Sequence, residues 1–92
     1  MYVLISKDLD PVYGCVQGGH AVAQWLIDHR GCYNKWNNNY LIYLYADLDE
    51  WLPKVNGGSN WSYWREPDLK NKLTAIAVET DGKMFKHLKL VK

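Results

Sequence analysis

Residues 1–30 limit the possible folds more than any other stretch. They hold a short β-branched and aromatic run, an Asp-Pro break, and a helical pattern interrupted by glycines. Tyr2-Val3-Leu4-Ile5-Ser6-Lys7 reads as a strand buried on both faces, because apolar residues fill consecutive positions. Asp8, Leu9, Asp10 and Pro11 end it, since Pro11 lacks the N–H that a ladder needs. Asp10 then suits the N-cap of a helix with Pro11 at its first position. Val12, Val16, Gly19, Ala23, Leu26 and Ile27 recur at helical spacing, which predicts that this stripe lies on the sheet. Gly14, Gly18 and Gly19 each weaken a helix by about 1 kcal/mol relative to Ala. Such a cluster implies close approach of the helix to a strand or a ligand. Gly31 is expected just past the helix end.

Further along, residues 32–39 are Asn-rich and turn-like, and residues 40–45 read as a second buried strand. Asp47, Asp49 and Glu50 suit the positive end of a short helix whose regularity Pro53 limits. Residues 56–59 form a turn, Trp61 to Trp64 a third strand, Arg65 to Asp68 a loop, and Leu73 to Val78 a fourth strand. Asp81-Gly82 is a turn signal, Lys83 to Lys86 one helical turn, and Leu88 to Val91 extended. The order β-α-β-α-β-β predicts an α/β fold. We expect a single three-layer α/β/α domain over residues 1–92, with a mixed, mostly parallel four-stranded sheet. Ligands in such folds collect where loops leave the strand ends, here residues 8–14, 65–72 and 46–47.

A chain of 92 residues supplies one core. Its net charge of +1 makes no strong claim on nucleic acid as a whole. The basic residues are uneven, however, with Lys83, Lys86, Lys89 and Lys92 close together. They read as a solvated face or as a phosphate-contacting patch. Cys15 and Cys32 read as reduced thiols of a cytoplasmic protein, with no second pair to build a zinc site. The first residues lack the charged start and long apolar run of a signal peptide. No apolar stretch approaches the length of a membrane span.

Gln17-Gly18-Gly19-His20-Ala21, on a helix that follows a strand ending Lys7-Asp8-Leu9, resembles the peptidyl-tRNA hydrolase II family. Thr74-Ala75-Ile76-Ala77-Val78 is similar to that family's later Thr-led strand, and His87-Leu88-Lys89-Leu90 to its ending. The family's Gly-Lys pair falls on Val12-Tyr13, so Tyr13 stands where the catalytic Lys is expected. Its Asp-Ala-Gly loop falls near Arg65-Glu66-Pro67-Asp68. The resemblance implies hydrolysis of the ester between a peptide and the tRNA 3′ end, without metal or cofactor, by a protein whose partner is tRNA.

Ester hydrolysis needs a group to orient or deprotonate water, donors for the oxyanion, and a hold on the substrate. The resemblance makes Glu66 or Asp68 the base, and Thr74 the residue that orients water or donates to developing charge. His20 is a proton-shuttle candidate. Lys7, Asp8, Tyr13, Gln17 and Arg65 are substrate-binding candidates, with Lys7, Tyr13 or Arg65 in place of the missing Lys. Each has a plainer alternative: a structural hydrogen bond for His20, packing for Gln17, a solvated turn for Glu66, an ordinary strand position for Thr74. Trp61, Tyr63 and Trp64 are expected in the core, with one exposed ring free to stack on a terminal adenine. Trp36 and Trp51 read as core or interface. Cys15, near a helix start, is the residue a thiol enzyme would use. The main alternative to an enzyme is a non-catalytic relative that binds RNA ends or a protein. A homodimer is compatible with either.

Overall fold

A computed structural model describes residues 1–32, 41–57 and 60–91. Most of the expected 32–39 turn, Tyr40, Trp36 and the Gly58-Ser59 part of the next turn lie outside the described residues. The elements are β1 (Tyr2–Ser6), α1 (Pro11–Asp28), a 3-10 turn (Arg30–Cys32), β2 (Ile42–Ala46), α2 (Leu48–Val55), β3 (Asn60–Glu66), a second 3-10 turn (Pro67–Leu69), β4 (Lys72–Glu79) and a third (Lys83–Phe85).

The four strands form a mixed sheet in the order β2-β1-β4-β3. Only β1 and β2 are parallel, so the expectation of a mostly parallel sheet is corrected. β4 returns antiparallel to β1, and β3 and β4 form an antiparallel hairpin. The hairpin arises because only a short turn separates β3 from β4, and a parallel pairing needs a long crossover. Residues 89–91 run along the outer edge of β2, where the Tyr45 N–H donates to the Lys89 carbonyl and the Val91 N–H to the Tyr43 carbonyl.

The central strands β1 and β4 are buried on both faces, as their continuous apolar runs require. Alternation sorts them into two cores. Val3, Ile5, Ala75 and Ala77 meet Ala21, Val22 and Trp25 of α1. Leu4, Leu44, Ile76 and Val78 meet Leu48 and Val55 of α2, together with Phe85.

Helix α1 begins as expected. The Asp10 carboxylate accepts from the N–H groups of Val12 and Tyr13, and Pro11 opens the helix. Its buried face is not the expected stripe. Val12 is 76% exposed, Val16 53% and Ile27 57%, and Ala23 is also exposed. The sheet instead receives Gly14, Gln17, Gly18, Ala21, Val22 and Trp25. Two glycines and one glutamine on that face carry no hydrophobic signal, which moved the predicted stripe round the helix. The helix also stops earlier than Gly31 suggested: His29 caps it, and Gly31 belongs to the following 3-10 turn.

Candidate functional site

A seam between α1 and β3 carries the polar chemistry. On α1, Gln17, His20, Gln24 and Asp28 recur at spacings of three and four residues, which places them along one edge of the helix. On β3, Ser62, Trp64 and Glu66 alternate onto the face that meets it. Their contacts join the two elements. The Ser62 hydroxyl donates to Asp28 at 2.7 Å, the Gln24 amide donates to Asp28 at 2.9 Å, and His20 stacks on Trp64 with 4.7 Å between ring centres. Below them, the Trp25 indole N–H donates to the Asn60 carbonyl, and a His29 ring nitrogen lies 2.9 Å from the Trp61 carbonyl.

At the upper end of the seam, Thr74 joins from β4. Trp64 pairs with Ala75, and Arg65 with Leu73, so Thr74 is the extra residue of a β-bulge. A bulge re-aims a side chain that regular pleating would send elsewhere. The fully buried Thr74 hydroxyl donates to Gln17 Oε1 at 2.7 Å. Gln17 Nε2 in turn donates to Glu66 Oε1 at 2.9 Å. The Asp68 N–H closes the chain by donating to Glu66 Oε2 at 3.2 Å. Gln17 is 1% exposed, so its amide is satisfied by these partners rather than by bulk water.

The chain of donors holds the Glu66 carboxyl below its ordinary range. The Gln17 amide has the largest effect, then the Asp68 N–H, with smaller help from the nearby Trp64 indole and His20. The Trp64 N–H itself is buried and makes no geometrically sound hydrogen bond. Tyr13 is half-buried one helical turn before Gln17. Partial burial, then the Glu66 and Asp68 carboxylates, push its phenol above the ordinary value. It therefore stays a neutral hydrogen-bond donor at physiological pH.

The structure thus brings Gln17, Glu66 and Thr74 into one hydrogen-bonded chain, with Asp68, Tyr13 and His20 around its open end. Lys7, Asp8 and Arg65 stand apart. They line a cleft of about 460 Å³ at the ends of β1 and β2, with Asp47, Asp49 and Lys72. There the Lys72 ammonium lies 3.9 Å from Asp8. Arg65 donates to the Asn71 carbonyl and lies over the Tyr63 ring, on the face of β3 opposite Glu66. Arg65 and Glu66 belong to β3 rather than to the expected loop, which begins only at Pro67.

The Asp28–Ser62 pair is a site-forming contact that sequence reasoning did not single out, and Trp64, expected in the core or as a stacking ring, packs against His20. The polar stripe Gln17, His20, Gln24, Asp28 beside the alternating Ser62, Trp64, Glu66 was the signal that could have found that pair. Trp61 and Trp64 are partly buried, and Tyr63 is exposed but already stacked between Trp61 and Arg65. Trp51 is half-buried against Phe85.

An apolar groove of about 860 Å³ lies on the other side of α1, between Val12, Val16, Leu41, Tyr43 and Leu90. It is larger than the polar cleft, but among the described residues its titratable groups are Cys15 and Tyr43 alone, so the seam is the chemical candidate. Among the described residues, no three His, Cys, Asp or Glu side chains converge as a metal site requires, and no helix is long and apolar enough to cross a membrane. No family model matches this chain, and no curated protein sequence matches it.

Proposed function

We propose that the protein hydrolyses the ester between a peptide and the tRNA 3′ end, with Glu66 as general base. The observation that carries this reading is the hydrogen-bonded chain from Thr74 through Gln17 to Glu66. It joins, on three separate elements, the residues that the resemblance to the peptidyl-tRNA hydrolase II family selects. A carboxylate held ionised by two donors, with one side open to solvent, suits a base that accepts a proton from water. In this reading the Tyr13 phenol donates to the developing oxyanion. Of the two carboxylates, Glu66 is assigned as the base because it accepts from both Gln17 and the Asp68 N–H. His20 lies at the mouth, where its ring can face the tRNA end. The reading makes tRNA the partner and the cytoplasm the place of action, for a monomer or a homodimer.

The test is release of tRNA from N-acetyl-aminoacyl-tRNA by the purified, folded protein. Glu66→Gln should lower the rate by about 10²- to 10⁴-fold. Absence of cleavage by folded wild-type protein at high concentration sinks the proposal.

One observation favours a second reading. Tyr13, at the position of the family's Lys, brings no positive charge to a site that already holds Glu66 and Asp68. Without that charge the site lacks a charged stabiliser for the oxyanion, which suits a relative that binds RNA ends or a protein without turnover. Activity that appears only in Tyr13→Lys would establish this reading. An RNA binder would also lose affinity steeply with added salt.

A further inference from the structure

The Thr74–Gln17–Glu66 chain has two ways of satisfying its donors and acceptors. The buried Thr74 hydroxyl faces two acceptors, Gln17 Oε1 at 2.7 Å and the Trp64 main-chain carbonyl at 3.4 Å. It has one proton to give. With that proton on the shorter contact, Gln17 must present Nε2 to Glu66, which makes a charge-assisted hydrogen bond to a carboxylate. The reverse amide orientation would set Gln17 Oε1 against the carboxylate, two acceptors with no proton between them.

Protonation of Glu66 reverses the preference. The acid O–H then donates to Gln17 Oε1, Gln17 Nε2 donates to Thr74 Oγ1, and the Thr74 hydroxyl turns to the Trp64 carbonyl. No proton crosses the chain; only one amide and one hydroxyl rotate. Each of these groups keeps a partner in both arrangements, at a place where Thr74 and Gln17 have almost no access to solvent.

We propose that Thr74 is a positioning residue of a two-state relay: it orients the Gln17 amide to hold Glu66 as a carboxylate, and turns to the Trp64 carbonyl when Glu66 becomes an acid. The proposal rests on the reading of Glu66 as the base and gives that base an environment suited to both of its protonation states. It replaces the expected role of Thr74 in orienting water, because a fully buried hydroxyl with two internal acceptors does not reach the reacting atoms. The other groups facing Glu66 are Tyr13 and His20 from α1, Asp68 from the following turn, and Lys72 across β4, whose ammonium lies toward Asp8.

The experiment is direct titration of the Glu66 carboxyl by ¹³C NMR in wild type, Thr74→Ser, Thr74→Val and Gln17→Met, beside the pH profile of hydrolysis. Thr74→Val keeps the shape and removes the proton, so the Glu66 titration should move up. Gln17→Met should move it further, and Thr74→Ser should stay with wild type. The acid limb of hydrolysis should follow these shifts, and in Thr74→Val the plateau above it should fall by no more than about tenfold. An unmoved titration in Thr74→Val overturns the relay. So does a loss of about 10²-fold or more at every pH, the mark of a group that touches the reacting water. If Thr74→Val does not fold, Gln17→Met decides, and an unmoved Glu66 there overturns the relay. If no variant hydrolyses the ester, the functional reading fails while the titration still judges the relay.

Discussion

Replacing Gly18 and Gly19 by Ala should have opposite effects on stability, although the two residues are neighbours in the same helix. Alanine at either position gains about 0.8–1.0 kcal/mol of helix propensity. At Gly19 a new Cβ meets no heavy atom within 4 Å, so the gain appears in full. For a chain of 92 residues that raises Tm by roughly 4–8 °C. At Gly18 the new Cβ would lie 2.7 Å from Tyr43 Cε2 and 2.9 Å from Val3 Cγ1. Val3 is fully buried and stiff at χ1, so it does not yield easily. Overpacking of this kind costs about 1–3 kcal/mol. The propensity gain is common to both variants and cancels in their difference, leaving Gly18→Ala less stable than Gly19→Ala by that amount. Gly14→Ala should fall between them, because its Cβ meets the end of the Ile5 side chain, at 2.7 Å. Thermal and urea unfolding followed by Trp fluorescence measure the series. A Gly18→Ala protein as stable as Gly19→Ala would refute the claim that α1 sits close to the sheet at that residue.

Two further outcomes follow from the α1–β3 seam. Ser62, with help from Gln24 and His29, depresses the Asp28 carboxyl below its ordinary range. A depressed folded-state value stabilises the protein above the unfolded value near 3.9 and is lost as pH falls through the folded one. Ser62→Ala should therefore be less stable than wild type at pH 7, with the two denaturation curves converging as pH falls below the ordinary carboxylate range; a gap that stays constant on acidification would contradict the assignment. Trp25→Phe keeps most of the buried ring but loses the N–H that reaches the Asn60 carbonyl, so it should cost about 1–3 kcal/mol in urea unfolding. A neutral Trp25→Phe would show that this bond contributes little.

Much of the frame could be read from the residues. The runs at Tyr2–Ser6 and Leu73–Val78 became central strands because both of their faces are apolar, and Asp10-Pro11 marked the start of α1 from local backbone chemistry alone. The face of α1 could not be read by hydrophobicity. Its contact with the sheet uses the absence of side chains at Gly14 and Gly18 and a buried amide at Gln17, and its apolar Val12, Val16 and Ile27 point outward. Gln17, Glu66 and Thr74 were named as separate candidates. Their union was not legible, since it depends on the antiparallel return of β4 and on a one-residue bulge, both set by pairing across the sheet. Lys7 and Arg65 drew notice as cations near the same loops, but pleating sends Arg65 to the face opposite its neighbour Glu66.

The bulge at Thr74 also divides the β3–β4 hairpin into unequal lengths. Five residue pairs, Asn60 to Trp64 with their partners, lie on one side; Arg65–Leu73 and Glu66–Lys72 alone lie on the other. A turn with Lys70 and Asn71 in the left-handed region closes the short end, whose Arg65, Lys70, Asn71 and Lys72 are exposed. Segments with few buried contacts open at lower free energy than the core they join. Amide hydrogen exchange at Arg65 and Lys72 should accordingly outpace that at Trp61 and Val78. Glu66 lies on this short end while Gln17 and Thr74 are buried, so local opening there would break the Gln17–Glu66 bond before the core opens.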